Sequence, residues 1–454
     1  MKSRKHILAL PALSLLLAGC SMVPDYERPS TAIPAGWDNT SQTDANAVTD
    51  YAQWWSRFRS PELDALMKEA LANNQDVAAA LATIEQARGT LRSTNSNLYP
   101  QLNASGDASE TQSDPGSLSR SASGKLSISY ALDLWGEYRA KSQSAEESFN
   151  ASVFDAAATR LLVQSDVATT YFTVLSLKDR IAYAQESLKL ARETLKLVEI
   201  RNKAGLDSGI TLAQQRTTVA SFEASLPSLE QSLTAARTSL AILLGRAPEG
   251  FDVMAAGLQD VNLPEIATAQ PSTLLERRPD IRRAEANLRA ANADIGAARA
   301  AFFPSIDLSA SLGRTATYGA TPVDAGSIAA SLLAPIFSAG DLEGSLQTAK
   351  AKKAQLAANY RNTVLTSLKE VEDALSQTDT SARRQKALGE AATQSEQAYN
   401  LSEASYKAGG SSFLDVLDAQ RTLLSNRDSV VQAQLDRYTS AVDLFVAMGG
   451  GWQS

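Results

Sequence analysis

Near the C-terminus, the stretch FLDVLDAQR places Asp415, Asp418 and Arg421 three residues apart. On a helix that interval sets two carboxylates and a guanidinium on one face. Such a row can bind cations, pair internally or line a narrow passage, although an ordinary solvated face accounts for the spacing alone. A second charged run, LLERRPDIRRAE (Leu274–Glu285), carries Arg277, Arg278, Arg282 and Arg283 beside a helix start, where an anion could sit. Glu276, Asp280 and Glu285 interleave with those arginines, so a local salt-bridge cluster is the better reading. Pro279 and Asp280 suit the first turn of the helix.

Enzyme chemistry is poorly supplied. The chain has one histidine, His6, and one cysteine, Cys20, in 454 residues. Both stand at or before a processing point: three basic residues precede an apolar run from Ile7 to Ala18, too short to span a bilayer and typical of a secretory leader. The mature body then lacks an imidazole base, a thiolate nucleophile and soft metal ligands other than scattered methionines. No carboxylate pair is arranged as an acid–base couple, and no cofactor is implied. The net charge of −7 with no basic tract argues against nucleic acid as a partner.

The elements that must carry the Asp415 row are long helices. The composition, 44% hydrophobic but only 6% aromatic, suits long helices better than a compact α/β enzyme. Residues 20–60 read as an extended segment. Helical periodicity starts after Ser60-Pro61, good N-cap and N1 chemistry, and stops at Tyr99-Pro100. Period-two alternation follows, predicting strands at about 101–112 and 123–134, joined by the loose loop SDPGSLSRS. From Trp135-Gly136 a helical pattern runs to about Lys203; at ~1.5 Å per residue such a helix would be about 100 Å long. After Gly205–Gly209 a seam of Val219, Phe222, Leu226, Leu229, Leu233, Ala236, Leu240 and Leu243 predicts a second helix. Pro227 should kink it or split it in two.

The second half repeats the plan. Phe303-Pro304 answers Tyr99-Pro100, and Lys407-Ala408-Gly409 answers Lys203-Ala204-Gly205 at the same offset. Strands are expected at about 305–316 and 326–337, then a long helix to Lys407, a turn over 407–416 and a last helix to about Met448. The chain thus divides into a leader (1–19), the extended segment, and tandem repeats over 61–270 and 271–454. Strands of about ten residues with one apolar face suit a tilted membrane-spanning strand. Four strands cannot close a barrel, and open edges are not tolerated in lipid, so in a membrane other subunits must complete the sheet, and three copies would give twelve strands; the alternative is a soluble pair of hairpins packed on helices. Tyr99, Trp135, Phe303 and Phe337, where strands meet helices, suit an aromatic girdle.

Several stretches carry a resemblance. Leu17-Ala18-Gly19-Cys20 resembles a bacterial lipobox, implying lipidation at Cys20, and Ser21 after it points to the outer membrane. MVPDYERP, WWSRFRSPELDALMKEALANNQDV and PSTLLERRPDIRRAEANLRAANADIGAARAAFFPSI resemble the TolC family of outer-membrane factors, within it the NodT-like efflux lipoproteins. The resemblance implies a mainly α fold with a small β part: a homotrimer with a twelve-stranded outer-membrane β-barrel, a periplasmic α-barrel and an equatorial collar. It implies docking to a periplasmic adaptor and an inner-membrane transporter, as the exit duct for drugs or other small toxic compounds. Alternatives are a channel for type I protein secretion and a lipid-anchored scaffold without a pore.

The same resemblance assigns the two turns to the periplasmic tips, with Gly205, Leu206, Ser208, Gly409 and Ser412 meeting the adaptor. It puts Asp415 and Asp418 at the closed aperture, where six crowded carboxylates would attract cations. Tyr406 matches a gating tyrosine. Ser411 stands where an arginine is expected and Thr211 where an acid is expected, so closure is expected to rest on Asp415, Asp418, Arg421 and packing around Leu414 rather than on an ionic latch between tips.

Overall fold

The computed structural model describes residues 21–38, 52–114, 117–264, 266 and 270–452. Cys20, the expected lipidation site, lies outside them. The elements are α1 (Pro61–Asn73), α2 (Gln75–Ser96), β1 (Gln101–Asp114), β2 (Ser117–Leu132), α3 (Glu137–Lys203), α4 (Gly209–Leu243), α5 (Pro279–Ala300), β3 (Ser305–Thr317), β4 (Val323–Leu333), α6 (Asp341–Lys407) and α7 (Phe413–Ala447). The duplication is visible element by element. Helices α3 and α6 are both 67 residues long, α4 and α7 both 35, and α2 and α5 both 22, all at one offset.

The chain forms two compact units. The first holds residues up to Thr31, Ala82–Phe154 and Arg282–Thr363. Its sheet is antiparallel in the order β1-β2-β3-β4, so β1 and β4 are each paired on one side only. The register aligns Leu102, Ile128, Ala310 and Ile328 across all four strands, and Leu126 with Leu312 beside them. Alternation sends this row to one face, where its large side chains are exposed. The opposite face shows a row of Asn103, Ser127, Ser311 and Ser327. No helix among the described residues is long and apolar enough to cross a membrane.

Two strand expectations need correcting. The first hairpin has no long loop, since β1 runs to Asp114 and β2 starts at Ser117; alternation persists through the polar residues, and ladder pairing of Glu110 with Arg120 (2.9 Å) helps hold it. Strand β4 stops at Leu333 rather than Phe337, because Pro335 cannot donate to the ladder. Trp135 and Phe303 stack at 4.8 Å, and the Trp135 Nε1–H donates to the Pro304 carbonyl (2.8 Å). Tyr99 and Phe337 are exposed.

The second unit holds Ala32–Leu81, Asp155–Ile281 and residues from Val364 onward. Its core includes Trp54, Phe58, Phe172, Tyr438 and Phe445, with Trp54 stacked on Phe445 at 5.5 Å. The expectation of an extended segment up to residue 60 therefore fails at its end: Trp54–Phe58 is a buried 3₁₀ turn. Ser60 caps α1 as expected, accepting from the Leu63 N–H (3.2 Å). The helix then breaks at Asn74, whose side chain caps the Asp76 and Val77 amides of α2. Helix α4 continues unbroken through Pro227; Glu223 and Pro227 are both exposed, so the carbonyl that proline leaves free is open to water.

Candidate functional site

The two turns joining α3 to α4 and α6 to α7 are built alike. Gly205 (φ 74°) and Gly409 (φ 81°) take the left-handed conformation that closes a helix. The Leu206 N–H reaches the Arg201 carbonyl (2.9 Å) and the Gly205 N–H the Asn202 carbonyl (3.0 Å). In the second turn the Gly410 N–H reaches Ser405 (2.8 Å) and the Gly409 N–H reaches Tyr406 (3.0 Å). Serine then caps the next helix: Ser208 Oγ accepts from the Thr211 N–H (3.2 Å). Ser412 stands in the matching place, and its N–H and hydroxyl both donate to the Asp415 carboxylate (3.0 and 2.8 Å).

Side chains distinguish the two turns. Tyr406 is only 2% exposed, edge-on to Phe413 at 5.7 Å, in a cluster with Val198, Tyr399, Val416, Leu417 and Leu423. Its hydroxyl donates to Asp207 Oδ2, across from the other turn. Arg201 Nε bonds the same carboxylate oxygen (3.1 Å), and its guanidinium lies 4.5 Å from the centre of the Tyr406 ring. Burial first, and then the hydrogen bond to Asp207 and its charge, push the Tyr406 phenol up to about 12. The turns of one protomer are thus joined by an acid, a cation and a phenol.

The contact between the two turns is a hydrogen bond from a phenol to a carboxylate, and the ion pair of Arg201 with Asp207 lies within the first turn. The first turn does carry an acid, at Asp207 rather than at position 211, and the arginine comes from the end of α3 rather than from the second turn. Arg201 and Asp207 flank the helix-closing glycine six residues apart, a spacing that pairs only once the chain has reversed. Within the protomer Leu414 is 61% exposed, and Phe413 makes the packing. Asp415 caps its own helix. Asp418 and Arg421 are exposed and form no ion pair within the protomer among the described residues. At the turns Leu206, Ile210 and Leu414 expose apolar side chains to solvent; Ile210 carried no sequence signal of its own.

In the charged run Leu274–Glu285, Arg278 and Glu285 combine neighbouring partners, as expected of a local cluster, with partners distant in sequence. Arg278 pairs with Asp280 and Glu370 (both 2.7 Å) and donates to the Ala447 carbonyl (3.0 Å). Glu285 serves the N-terminal segment, which runs along α5. Arg299 donates to the Met22 carbonyl (3.4 Å), Asn292 to the Pro24 carbonyl (2.7 Å), and Arg28 to Glu285 through two bonds (3.0 and 2.9 Å). Any Cβ at Gly296 would come within 2.5 Å of Val23 Cγ2, so only glycine fits beneath the segment. Burial alone would raise the Glu285 pKa, but hydrogen bonds from Arg28 and Arg289 hold it below the usual carboxylate range.

Residues 66–246 and 270–450 match the family model described as outer membrane efflux protein. The chain is 37% identical over 462 residues to the pyoverdine export outer membrane protein OpmQ of Pseudomonas aeruginosa, covering 98% of this chain and 97% of that one. It is 32% identical over 470 residues to the toluene efflux pump outer membrane protein TtgC of Pseudomonas putida, covering 99% and 96%. Among solved structures, the outer-membrane channel OprN superposes with a TM-score of 0.86 at 30% identity, covering 95% of this chain and 99% of that one. The two matched segments are set apart by the same offset as the duplicated helices, and the chain belongs to the outer membrane efflux protein family.

Proposed function

We propose that this chain is the exit duct of a tripartite efflux pump: a homotrimeric, passive outer-membrane channel, lipid-anchored at Cys20, that receives cargo from a periplasmic adaptor and an inner-membrane transporter. The observation that carries the reading is a four-stranded sheet with both edges unpaired and one exposed apolar face. In lipid such edges must be closed by further copies, and three give a twelve-stranded barrel. The serine-rich face then lines the lumen. Along α5 the N-terminal segment brings Met22 beside Arg299, shortly before β3 begins, which suits a lipid on the preceding cysteine entering the same membrane.

The tips fit the adaptor role. Gly205, Ser208, Gly409 and Ser412 allow close backbone approach, and exposed Leu206 and Leu414 offer apolar contact. Tyr406, Asp207 and Arg201 hold the two hairpins together, while Asp418 and Arg421 remain free to face the threefold axis with Asp415. The relatives named for pyoverdine and toluene differ widely in cargo, which supports a conduit that does not itself select.

The test is conductance of purified trimers in planar bilayers. The D415A/D418A variant should raise single-channel conductance and weaken block by divalent cations. A wild-type protein that forms no channels would overturn the duct reading, and an unchanged D415A/D418A channel would remove these carboxylates from the constriction.

A further inference from the structure

Gln420 is 3% exposed, and among the described residues neither its amide nitrogen nor its amide oxygen has a hydrogen-bond partner. Gln215 on α4 is fully buried; its nitrogen donates to the Ala191 carbonyl (2.8 Å), but its oxygen has no partner among the described residues. Buried amides of this kind destabilise the conformation that holds them, and native proteins rarely keep them without a reason.

Their position supplies one. Leu212 packs on the tip cluster of Phe413, Val416 and Leu417, whereas Val219, Phe222 and Leu424 belong to the next cluster along the helices. Gln215 falls between Leu212 and Val219, and Gln420 between Leu417 and Leu424. The two glutamines therefore form a buried polar level where the tip packing, which still includes Leu423, meets the packing beyond it. Seven residues further on, ~10 Å along α7, the helix is pinned. Arg427 bridges Glu186 on α3 (3.2 Å) and Glu396 on α6 (3.1 Å), and Arg180 binds Asp428 (2.6 Å). On the other side of the layer stands the Tyr406–Asp207–Arg201 latch.

We infer that the Gln215/Gln420 layer is a built-in bias toward opening. It is the level at which the tip end of α7 shifts once the latch is released, giving Gln420 the partners it lacks in the latched state. The latch holds the hairpins shut against this bias, and the Arg427–Asp428 clasp confines the movement to the tip. This rests on the gate reading above and adds its driving element.

The experiment places Gln420→Leu on the Tyr406→Phe background, so that a shift toward the latched state is readable. The apolar side chain removes the penalty of the latched state. The open-to-latched ratio should fall about tenfold, equivalent to about 1.4 kcal/mol, returning bilayer conductance toward wild type. Gln420→Met serves the same purpose if the leucine variant does not assemble as a trimer. Amide exchange gives a readout independent of conductance: residues 413–420 should exchange faster than 427–447, and Gln420→Leu should slow the first stretch only. Unchanged or increased conductance, or equal exchange in the two stretches, would overturn the inference. A wild type without channel activity would refute the duct reading instead, and exchange alone would then decide this one.

Discussion

Replacing Tyr406 by phenylalanine deletes one oxygen and leaves the ring on Phe413 and Arg201 in place. What disappears is the hydrogen bond to Asp207, an ionised acceptor, and such bonds contribute roughly 1.5–3 kcal/mol. Asp207 keeps Arg201 at 3.1 Å, so it is not stranded and the loss sits at the lower end of that range. About 1.5 kcal/mol corresponds to roughly a tenfold shift per protomer from latched to unlatched. If three tips open together, independent contributions add to about 4–5 kcal/mol, on the order of a thousandfold.

Asp207→Ala is the harsher change. It removes both the phenol's acceptor and the partner of Arg201, whose side chain is 20% exposed. The double variant Y406F/D207A should match D207A alone, because the phenol then has nothing left to bond. Single-channel recording of purified trimers measures all three. The expected order of open occupancy is wild type, then Y406F, then D207A with the double variant. Two results would refute the reasoning: a Y406F trimer indistinguishable from wild type, or additive effects in the double variant.

Alkaline pH should do to the wild type what phenylalanine does. The latched phenol holds its proton up to about 12 against an ordinary value of 10, so the latch contributes fully below pH 10 and is lost as pH rises towards 12. Conductance should climb across that window in wild type and stay flat in Y406F, which separates this tyrosine from the others. For the N-terminal segment, Glu285→Gln removes the charge that Arg28 and Arg289 share, weakening docking by roughly 1–3 kcal/mol. Proteolysis or amide exchange at residues 22–30 should accelerate while the unfolding temperature of the rest changes little.

The repeat, the two long helices and the presence of four strands were legible because each rests on local pattern. Strand alternation, the glycine-closed turns and the shared offset need no knowledge of what packs on what. Legibility failed where partners come from elsewhere in the chain. Arg278 and Glu285 lie seven residues apart in one charged run, yet they serve Glu370 and Arg28 respectively. Trp54 and Phe58 sat in a segment whose proline and polar content read as linker, and only the aromatic surfaces of α3 and α7 give them a core to enter. Leu414 and Phe413 are adjacent and equally apolar; which one turns inward depends on Tyr406, eight and seven residues away.

The latch also explains why the duplicated turns had to diverge. Two identical tips would place like groups opposite one another, acid facing acid or cation facing cation, and could hold only through apolar packing. At matching positions the first turn has Arg201, Asn202 and Asp207, and the second has Ser405, Tyr406 and Ser411. All the charge of the latch is thus on one copy and the proton donor on the other. The reverse holds one turn later, where Thr211 matches Asp415 and Gln214 matches Asp418. Each copy has given up at one level the charge it keeps at the other, so the hairpins complement each other within a protomer while Asp418 on α7 forms no ion pair among the described residues. In the proposed gate, the closing contact is satisfied within the protomer, and Asp418 is left free for whatever passes.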